Sequence, residues 1–243
     1  KKYDAEVFVK INTGMNRLGF STIGETAPAV KNLRVLGVFT HLSSADGDDA
    51  TDRRITEAQI KNFMEAELVV KNEKDVPFYA ENSAALIKYG RFFDGARIGI
   101  ALYGVNPVPG DKTPLLPVMT FRAAVIAINT VKKGDFIGYS RGYRAKKDMR
   151  VAIISTGYAD GLPRALSNKG MIFCNGQFLK IVGKVSMDSV AVDAGDADVK
   201  IMDEVVVFGD EITVTDVANR ADTLPYEILT GVSERVKRVY KNP

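Results

Sequence analysis

The chain of 243 residues contains only one cysteine, Cys174, and only one histidine, His41. A single cysteine excludes an intramolecular disulfide framework and any zinc or iron–sulfur site that needs several thiolates. A single histidine excludes a site with several imidazole ligands, so any imidazole chemistry must use His41. We expect no metal centre in this protein.

Long hydrophobic runs and a strong net charge are also missing. No apolar stretch is long enough to span a membrane, which excludes a protein with membrane-spanning helices. The formal net charge is only +3 and is spread along the chain, so a nucleic-acid partner is not indicated. Hydrophobic residues make up 46%, which is ordinary for a globular protein and argues against disorder. Because the sequence has neither an initial methionine nor a signal peptide, we expect a cytoplasmic protein or a piece of a longer one.

Apolar runs and helical patterns alternate over the first hundred residues. Strands are predicted at 5–11, 35–41, 76–80 and 95–101, and helices at 24–32, 51–74 and 83–88. The apolar stripe of the helix at 51–74 consists of Ile55, Ile60, Phe63, Met64, Leu68 and Val69. Such alternation is typical of a parallel sheet with crossover helices. Polar residues gather where the strands end, which is the edge at which (β/α)8 barrels build their active sites. Closing a barrel takes about eight strands, so these residues account for half of one.

The second part of the chain has a different texture. Residues 105–117 contain four of the nine prolines and are typical of a linker. Beyond them, strands are predicted at 120–131, 150–155, 171–174, 178–185, 189–192 and 204–208, and short helices at 214–219 and 225–229. The pair Asn175-Gly176 between two apolar runs is a strong hairpin signal. This part is therefore predicted to be mostly antiparallel β-structure.

Eight motifs in a fixed order carry a resemblance to a known family. They are VKINTGMNRLGF (9–20), THLSSAD (40–46), ENSAA (81–85), ARIGIALYG (96–104), IGYS (137–140), GYADG (157–161), VGKVSMD (182–188) and LPYEILTGVSERVKRVY (224–240). Together they resemble the alanine racemases, isomerases that use pyridoxal 5'-phosphate (PLP). The resemblance implies that residues 1–108 form the C-terminal half of a PLP-binding (β/α)8 TIM-type barrel, and that residues 109–243 form the β-domain.

The resemblance also implies the reaction. Alanine racemases interconvert L-alanine and D-alanine on PLP, with a tyrosine and a lysine exchanging the Cα proton, and they supply D-alanine for cell-wall peptidoglycan. The enzymes are homodimers with an active site shared across the interface. This chain is therefore expected to act on a small amino acid as a homodimer.

Three residues are the catalytic candidates that the resemblance implies. Arg97 would contact the pyridine nitrogen of PLP, and because arginine stays protonated it would keep that nitrogen unprotonated. His41 would connect Arg97 by hydrogen bonds to Tyr139. Tyr139, supplied by the partner subunit, would exchange the Cα proton of the L-enantiomer. Taken singly, an arginine at a barrel edge, a lone histidine and a tyrosine in a sheet are each compatible with a structural role.

Further residues are matched to binding roles by the same resemblance. The PLP phosphate would be held by Asn82 and Ser83 at a helix N-terminus and by the backbone of Gly99 and Ile100. The substrate carboxylate would contact Arg17, steadied by Lys10, which is carbamylated in many relatives. The remaining substrate-binding candidates are Met187, Asp188 and Tyr158. An N-cap and two solvated cations are the simpler alternatives for Asn82 and the Lys10–Arg17 pair.

Two departures from the family pattern affect the predicted function. Glu234 stands where well-known relatives have a tyrosine that shapes the substrate pocket, so serine or another small amino acid stays open as substrate. The Schiff-base lysine, which precedes a Tyr-Gly-His-Gly segment in the family, has no matching context here. We therefore expect a fragment that is inactive without the missing N-terminal half-barrel. A PLP-dependent decarboxylase of the same fold type and a degenerate PLP-barrel interaction domain are the alternatives, and the presence of both Arg97 and Tyr139 argues against them.

Overall fold

The structure is a computed structural model that describes residues 5–21, 33–71 and 75–241. The chain divides into two compact units, Lys1–Leu116 and Pro117–Pro243. The division falls in the proline-rich segment that the sequence identifies as a linker. The helix predicted at 24–32 lies outside the described residues.

The first unit is built on a parallel sheet with strand order β1-β2-β3. Its elements are β1 (Glu6–Lys10), β2 (Arg34–Phe39), α1 (Ala50–Lys71), β3 (Phe78–Tyr79) and α2 (Ser83–Tyr89), followed by a 3₁₀ helix (Ile100–Tyr103). Parallel pairing and helical crossovers confirm the predicted α/β organisation.

The prediction of a fourth strand at 95–101 is wrong. A single bridge joins Gly95 to Tyr79, and the chain then continues without regular pairing into the 3₁₀ helix. The N–H of Arg97 donates to the Glu81 carbonyl at 2.8 Å, so the segment still follows β3. The apolar run is interrupted by Arg97 and Gly99. Its main chain is held by single hydrogen bonds and not by the regular ladder that defines a strand.

Helix α1 buries a different face from the one that its apolar residues predict. Its buried residues are Thr56, Gln59, Phe63 and Ala66, at helical spacing. Phe63 packs on Phe78 and Phe93, with ring centroids 5.3 and 4.9 Å apart. Several residues of the predicted apolar stripe are exposed instead, namely Ile55, Met64, Leu68 and Val69. The polar residues on the buried face therefore require partners inside the unit.

The second unit contains a six-stranded antiparallel sheet with strand order β10-β7-β4-β11-β8-β9. Its elements are β4 (Phe121–Val131), β5 (Phe136–Ile137), β6 (Tyr143–Arg144), β7 (Met149–Ile154), β8 (Met171–Cys174), β9 (Gln177–Lys180), β10 (Val190–Asp193), β11 (Glu204–Phe208), α3 (Val214–Ala221) and α4 (Pro225–Gly231), and short 3₁₀ helices lie at Tyr139–Arg141 and Arg164–Leu166. Mostly antiparallel β-structure is confirmed.

The two outer strands of this sheet meet. Ile181, directly after β9, forms an antiparallel bridge with Val192 of β10, and the Val182 N–H donates to the Ala191 carbonyl at 2.9 Å. The strand predicted at 178–185 is therefore shorter than expected, because the chain leaves β9 at Lys180 to make this closure. Closure satisfies backbone groups that an edge strand would leave unpaired.

The hairpin between β8 and β9 forms where the sequence predicts it. Asn175 and Gly176 have φ values of 46° and 81°, as a two-residue turn with both residues in the left-handed region requires. Cys174 pairs with Gln177 across this turn. The local signal is sufficient here because the turn conformation depends only on these two residues.

Candidate functional site

The first unit gathers its polar candidates at the C-terminal ends of its strands. Lys10 ends β1, His41 lies two residues after β2, and Asn82 lies shortly after β3. Arg97 enters this group because its main-chain N–H is bound to the Glu81 carbonyl. Since parallel strands end at one edge of a sheet, these residues come together as the sequence predicts.

Arg97 is the best-connected side chain of this group. Its Nη2 donates to the Thr40 carbonyl at 2.7 Å and contacts His41 Nδ1 at 2.9 Å. The guanidinium lies over the Phe39 ring, with Cζ 4.7 Å from the centroid. Its Nε is buried and has no hydrogen-bond partner in the described part of the chain. A buried N–H without a partner is costly, so this atom is available to an acceptor from outside.

The contact with Arg97 determines the state of His41. Arginine can only donate, so Nδ1 must accept and the neutral ring carries its proton on Nε2. Burial is the main cause that lowers the pKa of His41 below its ordinary value, and the positive charges of Arg97, Arg17 and Lys10 lower it further. The imidazole is therefore neutral near pH 7, with one N–H available as a donor.

Arg17 is carried by a tight loop that follows β1. The Asn12 Oδ1 accepts the N–H groups of Gly14 and Asn16 at 3.2 and 2.9 Å, and the chain returns so that the Asn12 N–H donates to the Phe20 carbonyl. This asparagine turn holds the loop but leaves Arg17 exposed, and no hydrogen bond or ion pair is formed by its side chain within the described residues.

Lys10 and Arg17 do not form a hydrogen bond with each other in the structure. Burial, then the charge of Arg17, then that of Arg97 lower the pKa of the Lys10 ammonium. Two cations repel, so Lys10 cannot steady Arg17 as an ammonium group. A neutral or anionic form of Lys10 would suit this position better.

Asn82 and Ser83 organise the start of α2. The Asn82 Oδ1 accepts the Ala85 N–H at 2.9 Å as an N-cap, and its Nδ2 donates to the Leu42 carbonyl. The Ser83 Oγ accepts the N–H groups of Gly99 and Ala101 at 3.1 and 3.3 Å. The Gly99 N–H, which the sequence assigns to a phosphate, therefore already has an internal acceptor, whereas the Ser83 hydroxyl proton is still available to donate.

These residues fit PLP in chemical terms. The unpartnered Nε of Arg97 suits a pyridine nitrogen, which is an acceptor. Lys10, Arg17 and Arg97 form no ion pair with a carboxylate in the described ranges, so their charge favours an anion. A β-carbon added at Gly99 would meet no atom within 4 Å, which leaves open space beside Ser83.

Tyr139 lies in the second unit on a strained segment. The residues around it, Gly138, Ser140 and Arg141, have φ values of 76°, 54° and 54°. A positive φ is uncommon for residues other than glycine and costs about 1–3 kcal/mol for each residue held there. Tyr139 is 71% exposed at this corner between β5 and β6. The backbone therefore presents the phenol outward instead of packing it as an ordinary sheet tyrosine.

The loops that carry Tyr158 and Met187 are joined through their backbones. The N–H groups of Tyr158 and Ala159 donate to the carbonyls of Ser186 and Met187, each at 3.0 Å. A β-carbon at Gly157 would come within 2.3 Å of these same carbonyl oxygens, so only glycine allows the approach. The structure thus brings Tyr158, Met187 and Asp188 together, as predicted for one site.

Three supporting residues were not identified from the sequence. Arg235 joins the two loops, with its Nε 3.0 Å from Asp160 Oδ1 and its Nη2 2.7 Å from Asp188 Oδ1. Glu81 is fully buried, and its Oε1 accepts the N–H groups of Phe92 and Phe93. Gln59 is buried on α1 and is treated below. A polar residue at the helical spacing of buried positions was the available signal for Gln59.

No helix among the described residues is long and apolar enough to cross a membrane. No group of three or more His, Cys, Asp or Glu side chains in that part of the chain could hold a metal ion.

Comparisons with known proteins identify the family. The family model "Alanine racemase, N-terminal domain" matches residues 1–107, and the model "Alanine racemase, C-terminal domain" matches residues 118–240. The alanine racemase of Halothermothrix orenii is 35% identical over 252 residues, which cover 98% of this chain and 66% of that protein.

Solved structures of similar proteins point to the same family. The alanine racemase of Acinetobacter baumannii matches with a TM-score of 0.83 at 36% identity, covering 95% of this chain and 65% of that one. The alanine racemase of Bartonella henselae, solved with covalently bound pyridoxal phosphate, matches with a TM-score of 0.84 at 33% identity, covering 99% of this chain and 67% of that one. The chain thus spans about two thirds of the length of these relatives. The predicted fold class, part of a (β/α)8 barrel followed by a β-domain, is confirmed, and the chain belongs to the alanine racemase family.

Proposed function

We propose that this chain provides most of the active site of a PLP-dependent alanine racemase. One observation carries the proposal. Arg97 is held through Nη2 by the Thr40 carbonyl and by His41, and its buried Nε has no partner among the described residues. An arginine that is fixed in this way, with a buried Nε–H that has no partner among the described residues, matches the pyridine contact that distinguishes racemases from decarboxylases of the same fold type.

Arg97 would set the electronic character of the bound cofactor. PLP supplies an electron sink that makes the Cα proton of an amino acid acidic. Arginine donates a hydrogen bond but does not give up its proton at working pH, so the ring nitrogen stays unprotonated and the sink is weaker. We infer that this weaker sink favours return of the proton to Cα over transamination.

Tyr139 and His41 would manage one of the two proton transfers. The neutral His41 ring has Nδ1 occupied by Arg97 and can offer its Nε2–H to the phenolate oxygen of Tyr139. Such a hydrogen bond would stabilise negative charge on the phenol oxygen. The Tyr139 oxygen would then accept the Cα proton of L-alanine and return it in the reverse direction. We propose that Tyr139 comes from a second copy of the chain in a homodimer.

The lysine that would serve the opposite face of the substrate is not matched in this chain. The proposed activity therefore belongs to a protein that contains this chain together with the remaining third of its relatives. That third would supply the lysine and the other half of the barrel. By itself, the 243-residue chain is expected to be inactive.

Arg17 and Lys10 would bind the substrate carboxylate together with the loop at Met187 and Asp188 from the second copy of the chain. The lowered pKa of Lys10 increases the fraction of neutral amine. A neutral amine adds to carbon dioxide and releases one proton, which gives a carbamate anion that can pair with Arg17. We propose that Lys10 is carbamylated for this reason. Asn82, Ser83, Gly99 and Ile100 would bind the PLP phosphate, with the Ser83 hydroxyl as a donor.

The test uses the full product of the reading frame that contains this chain, loaded with PLP. We expect L-alanine and D-alanine to interconvert, and deuterium from D2O to enter at Cα. Tyr139→Phe should lower the rate from the L-enantiomer by about 10² to 10⁴-fold, because it removes the base. Tyr143→Phe, a tyrosine of the neighbouring strand β6, is the matched control and should keep the activity.

Three results would contradict the proposal or a part of it. Formation of an amine and carbon dioxide from the amino acid, with no deuterium exchange of the recovered substrate, would indicate a decarboxylase. Absence of both PLP binding and exchange would favour a degenerate interaction domain. Racemisation by the 243-residue chain alone would show that the remaining third is not needed.

Serine is a second candidate substrate, and Glu234 is the observation that favours it. Its carboxylate is exposed and has no partner in the described part of the chain, whereas the adjacent Arg235 is held by two aspartates. A carboxylate in place of a tyrosine ring makes the pocket more polar and less filled. We expect Glu234→Tyr to raise the ratio of kcat/KM for alanine to kcat/KM for serine. An unchanged ratio would remove Glu234 from the specificity argument.

A further inference from the structure

We propose that Gln59 of helix α1 is a positioning residue for the His41–Arg97 pair. Gln59 is 1% exposed, lies in the middle of α1 and touches neither the guanidinium nor the imidazole. Its side-chain amide instead binds the main chain that carries His41. It therefore acts through other groups and not on the reacting atoms.

The hydrogen bonds of the Gln59 amide are directed to two loops. Its Oε1 accepts the Ser43 N–H and the Ser43 hydroxyl, each at 2.9 Å. Its Nε2 donates to the His41 carbonyl at 3.1 Å and to the Thr13 hydroxyl at 3.3 Å. Both hydrogens and both acceptor positions of the amide are thus in use. A fully bonded buried amide has one orientation, and the loops that it binds are held accordingly.

The bond to His41 determines where the neighbouring carbonyl points. Gln59 holds the His41 carbonyl and the Ser43 N–H, while the Thr40 carbonyl, one residue earlier, accepts Arg97 Nη2 at 2.7 Å. The same Nη2 contacts His41 Nδ1. Peptide planes are rigid units joined at the Cα atoms, so holding the plane after His41 from one side while Arg97 holds the Thr40 carbonyl from the other restricts rotation about the His41 Cα, which carries the ring.

Thr40 and Thr13 complete this connection inside the unit. The Thr40 hydroxyl donates to the Ile11 carbonyl and lies 2.8 Å from the Thr13 hydroxyl, which in turn meets Gln59. Thr40 and Thr13 are 1% and 5% exposed. This buried polar chain joins the loop after β1 to the loop after β2. Gln59 is its only member on a helix among the described residues, and Phe63 anchors that helix in the core one turn later.

Asn62 provides a matched control on the same helix. Its Nδ2 donates to the Thr13 carbonyl at 3.2 Å, so it binds only the loop after β1. Removing Asn62 loses one hydrogen bond between α1 and a loop but leaves the His41 segment bound. An effect that comes only from loosening the contact between α1 and the loop after β1 would appear in both variants.

The single histidine of this chain makes the positioning measurable. In the full product of the reading frame, labelled with ¹⁵N, the His41 imidazole signals are those that disappear in His41→Gln; within these 243 residues His41 is the only source of such signals. Above its titration range, the two ring nitrogens of the natural protein should differ strongly in chemical shift, with Nδ1 as the unprotonated acceptor. In Gln59→Met, which removes the amide but keeps a long side chain, we expect the two shifts to move toward each other, because Nδ1 loses its fixed donor.

The titration midpoint gives a second readout. Burial and the charges of Arg97, Arg17 and Lys10 keep the pKa of His41 low. Release of the ring in Gln59→Met should move the midpoint up toward the ordinary value of about 6.5. Asn62→Ala should keep the midpoint and the tautomer of the natural chain. If Gln59→Met does not fold, Gln59→Glu retains the Ser43 acceptor and removes the donor to His41, and the tautomer is read above the titration range.

The effect of Gln59 on catalysis rests on the proposed function, whereas the imidazole signals do not. In the PLP-loaded racemase we expect Gln59→Met to lower kcat by about 10²-fold with a much smaller change in KM, as a misplaced catalytic group would. A folded Gln59→Met variant with an unchanged His41 tautomer and midpoint would overturn the positioning role. So would equal changes in Asn62→Ala. Absence of racemase activity in the natural protein would reject the proposed function and leave the result for His41 intact.

Discussion

The two units differ in how their sheets end. The first unit has a three-stranded parallel sheet with α1 packed on one face. On the other face the rings of Phe8 and Tyr79 are in contact above Gly37. Phe8 is 54% exposed, so this face is only partly covered. The sheet of the second unit closes through the bridge between Ile181 and Val192. Within the described residues, the first sheet is thus open and the second is complete. The residues that we propose to bind PLP, such as Arg97 and Ser83, belong to the unit with the open sheet.

The unit with the larger buried core is therefore not the unit that carries the proposed PLP-binding residues. The second unit has a large core of its own residues, which includes Ile172, Val192 and Phe208. The core of the first unit is smaller and is centred on Phe63 and Phe78. Because apolar burial is the main source of stability, the first unit should be the easier one to unfold. Three substitutions and one change of pH test this comparison of stabilities.

Phe63→Ala should have the largest effect. Phe63 is fully buried between Phe78 and Phe93, and removing such a ring costs about 3–5 kcal/mol. We expect the amides of the first unit to lose hydrogen-exchange protection while those of the second unit keep it. Leu68→Ala, on the exposed side of the same helix, should change neither. Equal loss of protection in both units would contradict the comparison.

Ile172→Ala tests the closed sheet. Ile172 is fully buried in β8, and truncation should cost about 2–4 kcal/mol. Because the closed sheet keeps its hydrogen bonds and the rest of its core, we expect a lower midpoint of urea unfolding but a folded second unit at low urea. The free energy of unfolding is obtained from exchange rates of the β8 amides. Unfolding of this unit without denaturant would show that closure adds little stability.

Acid should weaken the first unit through His41. Its pKa is lowered in the folded state, so below the ordinary value of about 6.5 the unfolded chain binds more protons than the folded chain. Stability is therefore full above that value and falls as the pH drops through it, by at most about 1.4 kcal/mol per pH unit. His41→Gln should remove this dependence of the exchange-derived stability of the first unit. A stability that rises on acidification across this range would show that the sign is wrong.

Thr213→Ala should have the smallest effect. The Thr213 hydroxyl accepts the Asp216 N–H at 3.1 Å, and the Asp216 carboxylate accepts the Thr213 N–H, which is a capping box at the start of α3. Loss of such a cap costs about 1 kcal/mol. Thr213→Ser keeps the hydroxyl and serves as the control in thermal unfolding. A loss as large as that of Ile172→Ala would mean that the cap supports more than its own helix.

Elements that depend on near neighbours were predictable. The strand at Met171–Cys174, the turn at Asn175-Gly176 and the helix start at Val214 agree with the sequence, because residue type and spacing decide them locally. The strand predicted at 95–101 failed, since an apolar run becomes a strand only when a neighbouring strand pairs along its length. Here only Gly95 pairs, with Tyr79.

The prediction of the buried face of α1 was also wrong in part, and for that reason Gln59 was not identified from the sequence. Ile55, Leu68 and Val69 predict an apolar stripe, but the structure turns Thr56 and Gln59 inward. A buried glutamine is stable only where donors and acceptors from distant segments meet it, and spacing along one helix carries no information about them. The ion pairs of Arg235 with Asp160 and Asp188 were not predicted either, because their partners lie far from Arg235 in the sequence.

The sequence by itself determined the family, the candidate residues and the single imidazole, His41, that any imidazole chemistry would have to use. It also indicated that the residues at the strand ends would gather at one edge, because parallel strands share a direction. Only the tertiary structure decided which atoms meet. It directs Arg97 Nη2 to His41 and Thr40, leaves Nε without a partner among the described residues and makes His41 a neutral Nε2–H donor. Hydrogen bonds and pKa values depend on atoms that approach from remote parts of the chain, and local sequence patterns do not encode those distances.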